Sequence, residues 1–222
     1  MMRKVRLHTV LLLPAALCSF LAGPGCVSTE RDSPQKHFYI IEAARPKTEP
    51  VRQVDAVLKF RKFKVSPRFD TRSLIYRTGD VTYETDFYNE FLSDPGSMIS
   101  ENTRAWISES GAFKAVVDGS SSLAETFVLE GTIQDIYGDF RGQPATQLSM
   151  HIFLLAMEDS EYRIVFQKVF TASIPLQGKS SEFLIRGFNQ TLSKQLTELE
   201  RELVSAARTY TEQRKSPQAP VQ

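Results

Sequence analysis

The chain reads as an α+β protein: a single domain with a mixed, largely antiparallel β-sheet packed by two main helices. Three observations predict this. Leu148, Met150, Ile152 and Leu154 recur at period two, with Gln147, Ser149, His151 and Phe153 between them, which is the pattern of a strand with one face in a core. Leu184, Phe188, Leu192, Leu196, Leu199, Leu203 and Ala206 recur at intervals of three and four, the stripe of one long amphipathic helix. Hydrophobic residues make up 41% of the 222 and charged residues 24%, an ordinary folded composition.

In chain order, Arg3, Lys4 and Arg6 precede an apolar run from Val10 to Ala22. That is the layout of a secretory leader, too short to span a bilayer comfortably. Leu21-Ala22-Gly23 followed by Cys26 resembles a bacterial lipoprotein signal, in which the cysteine becomes the lipidated first residue. Here Pro24-Gly25 intervenes. The alternative is ordinary cleavage near Gly23 or Gly25, leaving Cys26 as a free thiol. Within the resemblance, Val27 after the cysteine implies sorting to the outer membrane. The expected organisation is a lipoprotein signal peptide over 1–25, a polar tether over 26–36, a folded domain over 37–210 and a flexible tail over 211–222. Ten extended residues from Cys26 to Lys36 reach no further than roughly 35 Å.

His37-Phe38-Tyr39-Ile40-Ile41 is a first strand. Val54 to Val65 is a second, whose alternation slips between Phe60 and Phe63, predicting a bulge or bend. Lys59, Arg61, Lys62 and Lys64 are read as its solvated face. Leu74–Arg77 and Val81–Tyr83 flank Thr78-Gly79-Asp80 as a hairpin. Asp94-Pro95 supplies an N-cap and a proline at the first helical position, so a helix runs to about Ser110 and stops at Gly111. Phe113, Ala115 and Val117 form a strand. Thr126–Tyr137, with Gly131 at a bulge or close approach, then builds a three-stranded meander with the strand around Leu148–Leu154 and a returning strand. On that last strand Tyr162, Ile164, Phe166 and Phe170 share a parity. Ser180 or Ser181 caps the long helix, whose stripe docks on its own sheet.

The leader carries three of the 27 basic residues and no acid, so the remainder has 24 basic against 26 acidic side chains, near −2. This balance argues against a nucleic-acid partner. Cys18 leaves with the leader, so the mature chain has no cysteine pair. His37 and His151 have no thiol or carboxylate at metal-ligand spacing nearby, and Asp118, Asp135 and Asp139 sit beside turns, where aspartate is common. Ser33-x-x-Lys36 has the spacing of a serine/lysine nucleophile pair, but a solvated linker fixes no geometry. With no phosphate-cradling G-x-x-x-x-G-K loop, the chain is expected to be no enzyme and to need no cofactor. Trp106 is read as core.

The series Phe63-Lys64-Val65-Ser66-Pro67-Arg68-Phe69-Asp70-Thr71-Arg72-Ser73-Leu74-Ile75-Tyr76-Arg77, then Val81-Thr82-Tyr83, then Phe87-Tyr88-Asn89-Glu90-Phe91, resembles the ABC-type transport auxiliary lipoprotein family. Phe38-Tyr39-Ile40-Ile41, the helix near Trp106, Phe127-Val128-Leu129-Glu130-Gly131 and the terminal helix fall in the family's order. The resemblance implies a non-catalytic lipoprotein of an MCE-type system that moves lipids or other hydrophobic molecules between inner and outer membranes. It implies an MCE-domain transport protein as partner, a place on the periplasmic face of the outer membrane, and assembly as a homo-oligomer. Tyr83, Phe87, Tyr88 and Phe91, with Arg68, Asp70 and Arg72, are the candidate partner contacts. A lipid carrier, an accessory activator of a cell-envelope enzyme and a hydrolase are the other readings.

Overall fold

One strand, β7 (Phe127–Asp139), is the spine of the sheet, and the computed structural model describes residues 35–47 and 52–215 around it. It pairs antiparallel with β8 (Ala145–Glu158), which pairs antiparallel with β9 (Glu161–Ala172). This is the expected meander. The β8–β9 turn is two residues, Asp159 and Ser160, at φ 47° and 71°, the left-handed pair that suits a tight hairpin.

The other edge of β7 is shared by three parallel strands in succession: β2 (Val54–Phe60), β3 (Lys64–Val65) and β4 (Ser73–Arg77). The slip anticipated between Phe60 and Phe63 is therefore a break between two strands. It turns Phe63 into the core, where its N–H donates to Ser100 Oγ at 2.8 Å. Beyond β2 lies β6 (Phe113–Asp118), parallel; beyond β4 lies β5 (Tyr83–Phe91), antiparallel; beyond β5 lies β1 (His37–Tyr39), parallel. Nine strands of the described residues thus form one mixed sheet. Its two longest registers, β7–β8 and β8–β9, are antiparallel, and β7 meets β2, β3 and β4 in short parallel registers.

Helix α1 (Pro95–Glu109) begins as expected, with Asp94 Oδ1 accepting from the Ser97 N–H at 2.7 Å, and gives way to Ser110 and to Gly111 at φ 64°. Helix α2 (Ser181–Lys215) packs on β8 and β9. Its stripe from Leu184 to Leu203 is buried. Two details differ from the expectation. Ala207 rather than Ala206 is the buried alanine at the end of the stripe, since a 3.6-residue repeat drifts against a fixed three-and-four spacing. The helix also continues through residues 211–215, placed in the flexible tail by sequence, while 216–222 lie outside the described residues.

Helices cover one face of the sheet. Lys168 on β9 reaches Glu198 and Glu202 of α2 at 2.8 and 3.2 Å, and Trp106 of α1 is buried with its ring N–H donating to Glu200 Oε2 at 2.8 Å. Glu200 also accepts from Arg45 at 2.9 and 3.1 Å, tying the segment after β1 to α2. At Gly131 a Cβ would lie 2.7 Å from Ile152 Cδ1 and 3.0 Å from the His151 carbonyl, so the close approach is the reason for that glycine. The shared parity expected on β9 fails. A register shift opposite Leu154 and Leu155 leaves Phe166 and Phe170 with the core partners Leu154 and Met150. It sends Tyr162 and Ile164 to the other face.

The basic residues of β2 and its exit are paired: Lys59 with Glu125 at 2.7 Å, Arg61 with Glu130 at 2.8 Å and Lys62 with Asp94 at 3.3 Å.

Candidate docking surface

The helix-free face is built where the chain leaves β3. Ser66 donates to the Ile133 carbonyl, then Phe69 N–H returns to the Ser66 carbonyl and Thr71 N–H to the Phe69 carbonyl, at 2.8, 2.8 and 2.9 Å. This tight turn folds Phe69 back over the sheet. Its ring stacks on Tyr137 at 5.6 Å, and Tyr83 meets both edge-on at 6.2 and 5.5 Å. Phe69 and Tyr137 are buried while Tyr83 remains 44% exposed. A groove of about 260 Å³ opens beside them, lined by Arg68, Phe69, Ile75, Tyr83 and Thr85. The guanidinium groups of Arg68 and Arg77 lie 5.6 Å from the Phe69 and Tyr83 rings. The groove therefore offers an aromatic floor with cationic rims, side chains that are enriched at binding surfaces.

The three charged residues singled out around this turn do not converge. Arg68 lines the groove, Arg72 donates from Nε to the Phe91 carbonyl at 3.0 Å, and Asp70 is exposed beside a separate cleft with Lys62, Lys64 and Asp94. The aromatic set divides as well. Phe91 is 3% exposed with its ring 6.3 Å from Phe188, so it belongs to the core and is withdrawn from the contact surface. Its position in β5 beside the last residues of β1 points it under α2.

Phe87 and Tyr88 are presented by a bulge. In the β4–β5 register Ser73 faces Glu90 while Ile75 faces Thr85, so residues 86–89 stand opposite Leu74 alone and β5 carries three extra residues. Asp86 organises them: Oδ1 accepts from the N–H groups of Tyr88 and Asn89 at 2.9 and 3.0 Å, and Oδ2 from Asn89 Nδ2 and the Tyr76 hydroxyl at 2.8 and 2.9 Å. Behind it, Tyr39 Oη lies 3.1 Å from both Asn89 Oδ1 and Glu182 Oε1, and Tyr76 Oη lies 3.3 Å from Ser181 Oγ. The network ties the bulge to the start of α2. Partial burial works to raise the Asp86 pKa, but these donors outweigh it and hold the carboxyl below its ordinary value. Burial pushes the Tyr76 hydroxyl up, so it stays protonated and donates.

A carboxyl lowered in the fold contributes stability above its unfolded value and loses it as pH falls through the folded one. Asp86→Ala should therefore cost about 1–2 kcal/mol at pH 7, a fall of about 2–8 °C in thermal midpoint. The gap from wild type should shrink below pH 4 or so, as circular dichroism melts would record. An equal gap at both pH values would rule out the ionised carboxylate as the organiser.

The chain is similar in fold to a DUF330 protein. That protein, from Xanthomonas campestris, superposes with a TM-score of 0.71 at 18% identity, over 79% of this chain and 99% of its own. An uncharacterized protein matches at 0.57 and 15%, over 76% and 99%, and a hypothetical protein of Chlamydia trachomatis at 0.50 and 10%, over 69% and 98%. No family model matches the sequence, and no curated protein matches it. The likeness is one of fold.

Of the other residues weighed by sequence, Cys26 and Ser33 lie outside the described residues. His37 is exposed, and His151 packs against the Phe153 ring at 4.2 Å. Asp118 accepts from Ser120 at 2.8 Å and Asp139 pairs with Arg141 at 2.6 Å. Among the described residues no three histidine, cysteine or acidic side chains group as metal ligands. Sequence reading overlooked Asp86 and Asn89, although an Asp able to cap the amides two and three residues on is a turn signal. It also overlooked Tyr137, whose place beside Phe69 depends on a contact between distant segments.

Proposed function

We propose that this chain is the non-catalytic, lipid-anchored subunit of an MCE-type ABC transport system for lipids or other hydrophobic molecules. It sits on the periplasmic face of the outer membrane and docks to the MCE-domain protein through the helix-free groove. One observation carries the reading: the long series behind the family resemblance, Phe63 to Arg77 with Val81 to Tyr83, is the stretch that builds this groove. The leader before Cys26 and the DUF330-like fold agree with it. A lipid carrier would favour an apolar enclosed pocket. The clefts of about 470 and 500 Å³ are instead rimmed by charge, with Arg45, Glu200, Arg201 and Arg208 at one and Arg61, Lys62, Glu101 and Arg104 at the other.

Affinity capture from cross-linked cells should enrich an MCE-domain protein with wild type and lose it with Arg68→Glu/Tyr83→Ser. Enrichment of cell-wall synthases in its place would overturn docking to a transporter and favour an activator. The anchor is tested separately: Cys26→Ala should abolish palmitate labelling and move the protein from membrane to soluble fractions. Unchanged fractionation and labelling would show the anchor to be wrong.

A further inference from the structure

Phe87 and Tyr88 lie apart from the groove and have a different neighbourhood. Where β1 runs beside the last residues of β5, Phe38 is 51% exposed, Phe87 69% and Leu92 57%, with Ile40 and Tyr88 also exposed. Phe87 and Tyr88 meet edge to face at 5.1 Å. Cations sit on this apolar group: Lys36 Nζ lies 4.8 Å from the Phe87 ring centroid while pairing with Glu90, and the Arg72 guanidinium lies 5.7 Å from Phe38. Aromatic rings capped by long basic side chains combine an apolar body with a head that prefers water and phosphate.

We infer that this cluster is a membrane-contact patch, seated in the interfacial region of the bilayer that holds the acyl chains of Cys26. The inference rests on the reading of Cys26 as the lipid anchor. What selects a lipid surface as occupant is the course of the chain. Lys36, which touches Phe87, is the residue at which the tether ends, only ten residues from Cys26. Its full covalent reach is roughly 35 Å, whereas α2, whose first residues adjoin Tyr39 and Tyr76, extends for roughly 50 Å from that end. The apolar cluster is thus at the tethered end of the domain. The Asp86 network that holds Phe87 and Tyr88 outward gives the patch a fixed shape. The aromatic rings and the two cations would add a protein contact to that of the acyl chains by lying at headgroup depth. The same contact would limit rotation about the tether and fix which way the groove faces.

The test uses the full lipidated protein in vesicles of phosphatidylcholine and phosphatidylglycerol, with and without bromine on the upper acyl carbons. The chain has one tryptophan, Trp106, which is buried and serves as a constant background. Phe87→Trp and, independently, Phe38→Trp should add emission that brominated lipid quenches about twofold, as for an indole within ~5–10 Å of the headgroup boundary. Val81→Trp, 92% exposed in the turn between β4 and β5, should be unaffected. An intact mass lacking acyl chains would overturn the anchor and this proposal with it. Acyl chains present, with both indoles quenched no more than that of Val81→Trp, would overturn the membrane patch alone. Cross-linking of Phe87→Trp to a protein partner in cells, with no quenching by brominated lipid, would overturn the patch in the same way.

Discussion

Phe188→Ala should remove about 3–5 kcal/mol of stability and lower the thermal midpoint by about 6–20 °C. Phe188 is 1% exposed on the buried stripe of α2, between Leu184 and Leu192, and its ring lies 6.3 Å from that of Phe91 on β5. It thereby joins the long helix to the β4–β5–β1 side of the sheet. Truncation leaves a cavity that neighbours held by both the helix and β5 cannot close. Chemical denaturation should show a lower midpoint with little change in slope. Phe87→Ala is the internal comparison. Another phenylalanine on an exposed bulge should change stability by no more than about 0.5 kcal/mol. If both variants lost the same amount, the assignment of one ring to the core and the other to the surface would be wrong.

Gly187→Val should cost about 3 kcal/mol, at the upper end of overpacking. A Cβ at this position would lie 2.5 Å from Leu176 Cδ2 and 2.5 Å from Thr146 Cγ2. Leu176 can turn aside. Thr146 cannot, because its Oγ1 lies 2.8 Å from Thr191 Oγ1 on the same helix and accepts from the Ile174 N–H at 3.1 Å. Its backbone N–H also donates to the Ile174 carbonyl at 2.9 Å. Gly187→Ala separates the effects. Alanine recovers up to about 1 kcal/mol of helix propensity while adding a single methyl group, so its net loss should be about 1–2 kcal/mol. A stabilised alanine variant would mean that α2 stands further from residues 174–176 than these contacts require.

The two helices were legible in the sequence because their signals are local. Asp94-Pro95 and Gly111 bracket α1 with groups that act on their own neighbours, and the α2 stripe states a period without reference to the sheet. The meander was legible for the same reason. The pairing of β7 with β2, β3 and β4 was not, since parallel partners are joined by long crossovers and no local residue encodes them. Alternation was misleading wherever a strand carried an extra residue. At β9 the shift opposite Leu154 and Leu155 reversed the face of Tyr162 and Ile164. At β5 the four residues from Asp86 to Asn89 lifted Phe87 and Tyr88 out while Phe91 returned to the core.

The candidate surface shows the same division. The aromatic and charged residues were conspicuous in sequence, yet seven of them read as one contact became a groove at Arg68 and Tyr83, a bulge at Phe87 and Tyr88, a core ring at Phe91, and Asp70 and Arg72 in separate surroundings. The sequence by itself determined the fold class, the helix limits near Asp94 and Gly111, the meander and the stripe of α2, because each follows from residue type and spacing over a few turns. Only the tertiary structure decided which aromatic residues reach the surface. That choice depends on register shifts and on Asp86 meeting Tyr76 across the hairpin, and a side chain's exposure is set by what packs against it from elsewhere in the chain.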